Sequence, residues 1–86
     1  MKIKITEYSD KDCPPCLKQR PINKKLKKKH PDWNIKVVDI GKNEKLAEKN
    51  NVQSVPTFIV EKGSKKKRWE GGPVEVIEME EIIEKM

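Results

Sequence analysis

A chain of 86 residues that is 40% charged and 34% apolar has material for one small core, so that material must be well ordered along the sequence if the chain is to fold. No stretch approaches the ~20 apolar residues of a membrane span, and the opening Met1-Lys2-Ile3-Lys4-Ile5 lacks the apolar run of a secretory leader, so the expected location is the cytoplasm. The net charge of +6 gathers in residues 24–29 and 65–68, but Tyr8, Trp33, Phe58 and Trp69 do not alternate with these lysines as a stacking platform for nucleic acid requires, so the runs read as solvated faces and nucleic acid is not an expected partner.

Residues 2–8 alternate apolar and polar, the period of a strand. A polar loop over 9–12 leads to Cys13-Pro14-Pro15-Cys16 and a helix to about residue 29. Proline suits a first helical turn because its missing N–H has no partner there. Leu17, Ile22 and Leu26 are assigned to the buried face of this helix, with a kink at Pro21, and His30 ends it as a solvent residue. Residues 34–40 are rich in β-branched side chains and form the second strand, with Trp33 as a packing anchor at its start. Residues 44–50 form a short helix with Leu46 and Ala47 on its apolar side.

Residues 52–56 turn into a third strand over 57–60, Gly63-Ser64 makes a hairpin, and 66–70 is a fourth strand carrying Trp69 toward the core, with an apolar rim near the cysteines as its alternative place. After the Gly71-Gly72-Pro73 break, a closing helix over 74–85 offers Ile77, Ile82 and Ile83 to the core. The order β-α-β-α-β-β-α predicts an α/β domain over 1–86: a four-stranded mixed sheet with helices on both faces, its first half a right-handed parallel βαβ unit.

The chemistry sits in the two cysteines. In the cytoplasm disulfides are more often transient and catalytic than structural. A Cys-x-x-Cys that follows a strand and opens a helix aims the first sulfur at unpaired backbone N–H groups and the positive end of the helix dipole, which favours the thiolate, the nucleophile of disulfide exchange. Cys13 is therefore the attacking residue, with the Cys16 N–H as donor to its sulfur, and Cys16, one turn in and less exposed, resolves the mixed disulfide. Pro14 and Pro15 stiffen the turn between them. A structural zinc site takes four Cys or His ligands, and only His30 remains, across the first helix, so no metal is expected.

The strand, Cys13-Pro14-Pro15-Cys16, Pro21 five residues after Cys16, the Val55-Pro56-Thr57 turn, the hairpin and the Gly71 break together resemble the thioredoxin/glutaredoxin superfamily over essentially the whole chain. The resemblance implies a thioredoxin-like fold and a thiol–disulfide oxidoreductase that reduces disulfides of protein substrates through a reversible Cys13–Cys16 disulfide. It implies no bound cofactor, with electrons from a thioredoxin reductase or from glutathione, and a monomer is expected. It also implies a cis bond at Val55–Pro56 and a substrate-binding edge made by Val55, Pro56, Pro14, Pro15 and Gly71, with the Val55 backbone pairing with the substrate chain.

Glu7 lies six residues before Cys13, where thioredoxins carry a buried acid that passes a proton to the second cysteine. Its strand face, shared with Ile3 and Ile5, agrees with that role, and the alternative is an exposed strand glutamate. Asp12 stands where thioredoxins have tryptophan, and Gly71-Gly72 is not followed by the aspartate with which glutaredoxins grip glutathione, so thioredoxin-type activity is the first expectation. Glutathione-dependent glutaredoxin activity is the second. A non-enzymatic binding module with a basic surface is the third.

Overall fold

The computed structural model describes residues 2–86. Its elements are β1 (Ile3–Ser9), α1 (Pro14–Lys29), β2 (Asn34–Asp39), α2 (Glu44–Lys49), β3 (Thr57–Lys62), β4 (Lys65–Glu70) and α3 (Val76–Glu84). The strands form one mixed sheet in the order β2-β1-β3-β4, with β1 parallel to β2 and the β1–β3 and β3–β4 pairs antiparallel. The element order along the chain, the parallel β1–β2 pair and the antiparallel β3–β4 hairpin are those predicted from the sequence, the spatial strand order and the β1–β3 pairing are added by the structure, and each element edge lies within about two residues of its expected place.

The alternation in β1 sends Ile3, Ile5 and Glu7 to one face and Tyr8 to the other. On the first face Ile3, Ile5, Phe58 and Val60 meet Ile22 and Leu26 of α1 and Met79, Ile82 and Ile83 of α3 in the main core. On the second, Tyr8, Val38 and Ile59 pack with Ile40 and Val52, the residues that flank α2. Each helix shows its apolar side to the sheet, and α1 runs unbroken through Pro21.

Five side chains depart from expectation. Leu17 is 45% exposed, Leu46 37% and Ile77 66%, and Ala47 alone is buried on α2. At about 100° per residue, Leu17 lies half a turn away from Leu26, so the buried stripe of α1 is Cys16, Gln19, Ile22 and Leu26. Met79 takes the inward place on α3 for the same reason, and Val74 is buried just ahead of that helix. Trp69 is 39% exposed because β4 is an edge strand with every residue exposed. Its lysines suit that place, since charge on an open edge discourages pairing with another sheet. His30 is half-buried: it caps α1, stacks on Trp33 at 3.7 Å and pairs with Glu80 of α3 at 2.7 Å.

Candidate active site

The site forms where α1, the loop before β3 and the loop after β4 converge. Cys13 is the N-cap of α1, in extended conformation, with the two prolines at the first helical positions. Its Sγ accepts the Cys16 N–H at 3.3 Å, the cap interaction that aims a free helix donor at the sulfur. The same thiol donates to the Val55 carbonyl at 3.6 Å. Cys13 is half-buried, whereas Cys16 is 1% exposed. Both are thiols in this structure. Burial pushes the Cys16 thiol up from the ordinary cysteine range. The neighbouring Cys13 thiol adds to the rise, and the Asp10 backbone and Ser9 hydroxyl offset part of it.

The loop before β3 presents Pro56 after a cis Val55–Pro56 bond, as the sequence implied. Pro56 is buried, and its carbonyl accepts the Gly71 N–H at 2.9 Å. Gly71 has φ +97°, which a side chain rarely adopts. A Cβ on Gly72 would stand 2.8 Å from Pro56 Cγ, so only glycine lets the two loops meet. Thr57 Oγ1 donates to the Ser54 carbonyl at 2.6 Å. From β4, Arg68 reaches the Asn50 and Asn51 carbonyls at 2.6 and 2.7 Å and holds the end of α2 from which this loop departs. The structure thus brings Cys13, Cys16, Pro14, Pro15, Val55, Pro56 and Gly71 to one end of the sheet.

Glu7 lies on the buried face of β1 at 2% exposure, flanked by Val37 and Phe58 in the neighbouring strands. Burial raises its carboxyl above the ordinary range, while the Asn23 amide and the Arg20 charge work the other way. Its hydrogen-bond partner is Asn23 Nδ2, at 2.6 Å. Sequence reasoning missed Gln19, Asn23 and Arg68. Gln19 is fully buried, donates to the Val74 carbonyl at 3.0 Å and accepts the Val74 N–H at 2.6 Å. Its position was accessible, because Gln19 falls seven residues before Leu26 on the same helical stripe. A second cis bond, Gly72–Pro73, also lay beyond the sequence reading.

Among the described residues no helix is long and apolar enough to cross a membrane, and no group of three or more His, Cys, Asp or Glu side chains converges. The chain is 35% identical over 65 residues to an H-type thioredoxin of Brassica oleracea, an alignment that covers 76% of this chain and 53% of that protein. It therefore spans about half the length of the relatives it matches. Its fold superposes on a solved malarial protein with a TM-score of 0.91 at 29% identity, covering 99% of this chain and 97% of the other. The thioredoxin of Fasciola hepatica gives a TM-score of 0.84 at 27% identity, covering 98% and 80%. The thioredoxin family model matches residues 1–85, a span that takes in both cysteines, the proline loop and the closing helix, and by that match the chain belongs to the thioredoxin family.

Proposed function

We propose that this chain is a thiol–disulfide oxidoreductase that reduces protein disulfides by dithiol exchange. One observation carries the reading: Cys13 Sγ receives the Cys16 N–H at the start of α1. An N–H aimed at a sulfur favours negative charge there, and that charge is the nucleophile. The Cys13 thiolate attacks one sulfur of a substrate disulfide. The S–S bond breaks, and the departing sulfur leaves as a thiolate that takes a proton. Cys16 then loses its proton and attacks Cys13, the mixed disulfide breaks, and the second substrate thiol departs. The substrate gains two electrons and two protons, and the chain retains a Cys13–Cys16 disulfide.

Glu7 is the base that receives the Cys16 proton in this scheme, a task suited to a carboxyl held above its ordinary range. Pro14, Pro15, Val55, Pro56 and Gly71 line the docking edge, with the Val55 backbone pairing with the substrate. A reducing compartment such as the cytoplasm keeps the resting chain as a dithiol. Its electrons come from a thioredoxin reductase, and the alternative donor is glutathione.

The test is insulin-disulfide reduction with dithiothreitol as donor. The expected result is turnover by the native chain and none by Cys13→Ser. Equal turnover by both would overturn the reading and leave a binding module. Repeating the assay with thioredoxin reductase, then with glutathione plus glutathione reductase, separates the two donors.

A further inference from the structure

Four side-chain hydrogen bonds connect the loop after β4 to the carboxyl of β1. Val74 N–H donates to Gln19 Oε1 at 2.6 Å, and Gln19 Nε2 donates to the Val74 carbonyl at 3.0 Å. The same Nε2 donates to Asn23 Oδ1 at 3.1 Å, and Asn23 Nδ2 donates to Glu7 Oε1 at 2.6 Å. Each link has one possible direction. A backbone N–H only donates, so Gln19 must turn its oxygen toward Val74. That leaves its amino group to donate to Asn23, so Asn23 must offer its oxygen there and its own amino group to Glu7.

We infer that Gln19 and Asn23 are positioning residues for Glu7: anchored on the Val74 backbone, they commit Glu7 Oε1 to accepting, so that Oε2 is the oxygen that takes up and releases the proton. The inference rests on the proposed role of Glu7 as the base for Cys16, and it names the machinery that gives that base a direction.

The surroundings suit this arrangement. Gln19 is wholly buried on the inward stripe of α1, so its two amide groups have no water to turn toward. Asn23 is half-buried and lines a surface opening with Arg20, Lys24, Lys27, Ile35 and Val37. Solvent therefore reaches the run at Asn23, the link bonded to Glu7, while Glu7 itself stays covered. The charged group whose field reaches Glu7 is Arg20 on the same helix. β2 and β3 face Glu7 with Val37 and Phe58, and α3 brings Met79, Ile82 and Ile83 into the core on this face of the sheet, none of which titrates. The remaining titratable group on that stripe of α1 is the Cys16 thiol, the one the base would serve. Val74 lies two residues after Gly72, which sits on Pro56, so the anchor of the run belongs to the loop that backs the docking edge.

The test is a carbon-13 NMR titration of the Glu7 carboxyl in the whole chain, run beside the pH profile of insulin reduction. Asn23→Leu removes the donor to Oε1, and the Glu7 midpoint is expected to rise by about one pH unit, the loss of one charge-assisted hydrogen bond. The ascending limb of the activity profile moves with it. Gln19→Met frees Asn23 to turn, and a smaller rise in the same direction is expected. Should Gln19→Met fail to fold for want of its Val74 partners, Asn23→Leu carries the test, since among the described residues the Asn23 side chain bonds only other side chains. A Glu7 midpoint unmoved in folded Asn23→Leu overturns the inference. A midpoint that moves while the activity profile stays in place upholds the hydrogen-bond run and removes Glu7 from the proposed mechanism.

Discussion

Glu7→Gln is expected to make the protein more stable at neutral pH while impairing its chemistry. The carboxyl is 2% exposed between Val37 and Phe58, and its one hydrogen-bond donor is Asn23. Burial holds its pKa above the ordinary range. The folded chain thus binds this proton more tightly than the unfolded chain does. As pH rises above the unfolded value near ~4.3, ionisation works against the folded state, and the loss grows until pH passes the folded pKa. Glutamine keeps the shape and the acceptor for Asn23 and has no charge to bury. The expected gain at pH 8 is about 1–3 kcal/mol, the cost of a buried polar group with incomplete compensation. At ~4–8 °C per kcal/mol for a domain of this size, the midpoint rises by at least about 4 °C. Thermal melts of both proteins from pH 4 to pH 8 provide the measurement, and their difference cancels every other titrating group. The difference should be smallest at pH 4 and widen with pH. A difference that stays flat, or a variant that melts below the native protein at pH 8, would refute the account of Glu7 as a carboxyl destabilised by burial.

Glu80→Gln should give the opposite profile. Lys29 first, and then His30, hold the Glu80 carboxyl below its ordinary range, so its contribution is present above the unfolded carboxyl pKa and fades as pH falls through the folded one. In the same melts the native advantage over Glu80→Gln should shrink toward acid pH. Cys16→Ser should retain attack by Cys13 and lose resolution, so that a stable mixed disulfide with substrate appears on non-reducing gels. Gly72→Ala puts a methyl group 2.8 Å from Pro56, and urea melts should show a loss of about 1–3 kcal/mol together with weaker substrate binding. Met79→Ala empties a fully buried site between α3 and the sheet and should cost about 2–5 kcal/mol in the same melts.

The strands were legible because their signal is local. Alternation in residues 2–8 sorts Ile3, Ile5 and Glu7 from Tyr8 without knowledge of any partner, and it placed Glu7 on the core side. The cysteine turn was legible for the same reason, since a proline-filled Cys-x-x-Cys opening a helix involves only neighbours in sequence. Helix faces were read less well. Counting apolar residues put Leu17 and Ile77 inside, although the helical angle sets each well away from the residues that are buried. The buried stripe of α1 includes a cysteine and a glutamine, which an apolar count passes over. Trp69 was misplaced because the sequence does not say which strand lies at the edge. Gln19 and Arg68 bond the backbones of Val74 and of Asn50 and Asn51, far away in sequence, so their roles exist only once the chain has closed.

Where the polar groups lie favours chemistry over a binding module with incidental cysteines. The core is small, and burying a polar group in it is unfavourable unless a partner is supplied. Yet Glu7, Ser9, Gln19 and Thr57 are buried, and among the described residues no buried side-chain nitrogen or oxygen lacks a partner. These four belong to the segments that build the site. Ser9 stands near Cys16, Thr57 follows Pro56, Gln19 is the first link of the amide run from Val74 and Glu7 its end. Glu7, Ser9 and Gln19 lie on the face covered by α1 and α3, whereas the opposite face holds Thr57 opposite Tyr8 and is otherwise packed with Tyr8, Val38 and Ile59. A fold that needed only stability would fill the first face as it fills the second. Polar residues held inside, each with an assigned partner, are what a site that moves protons and holds a sulfur in place requires.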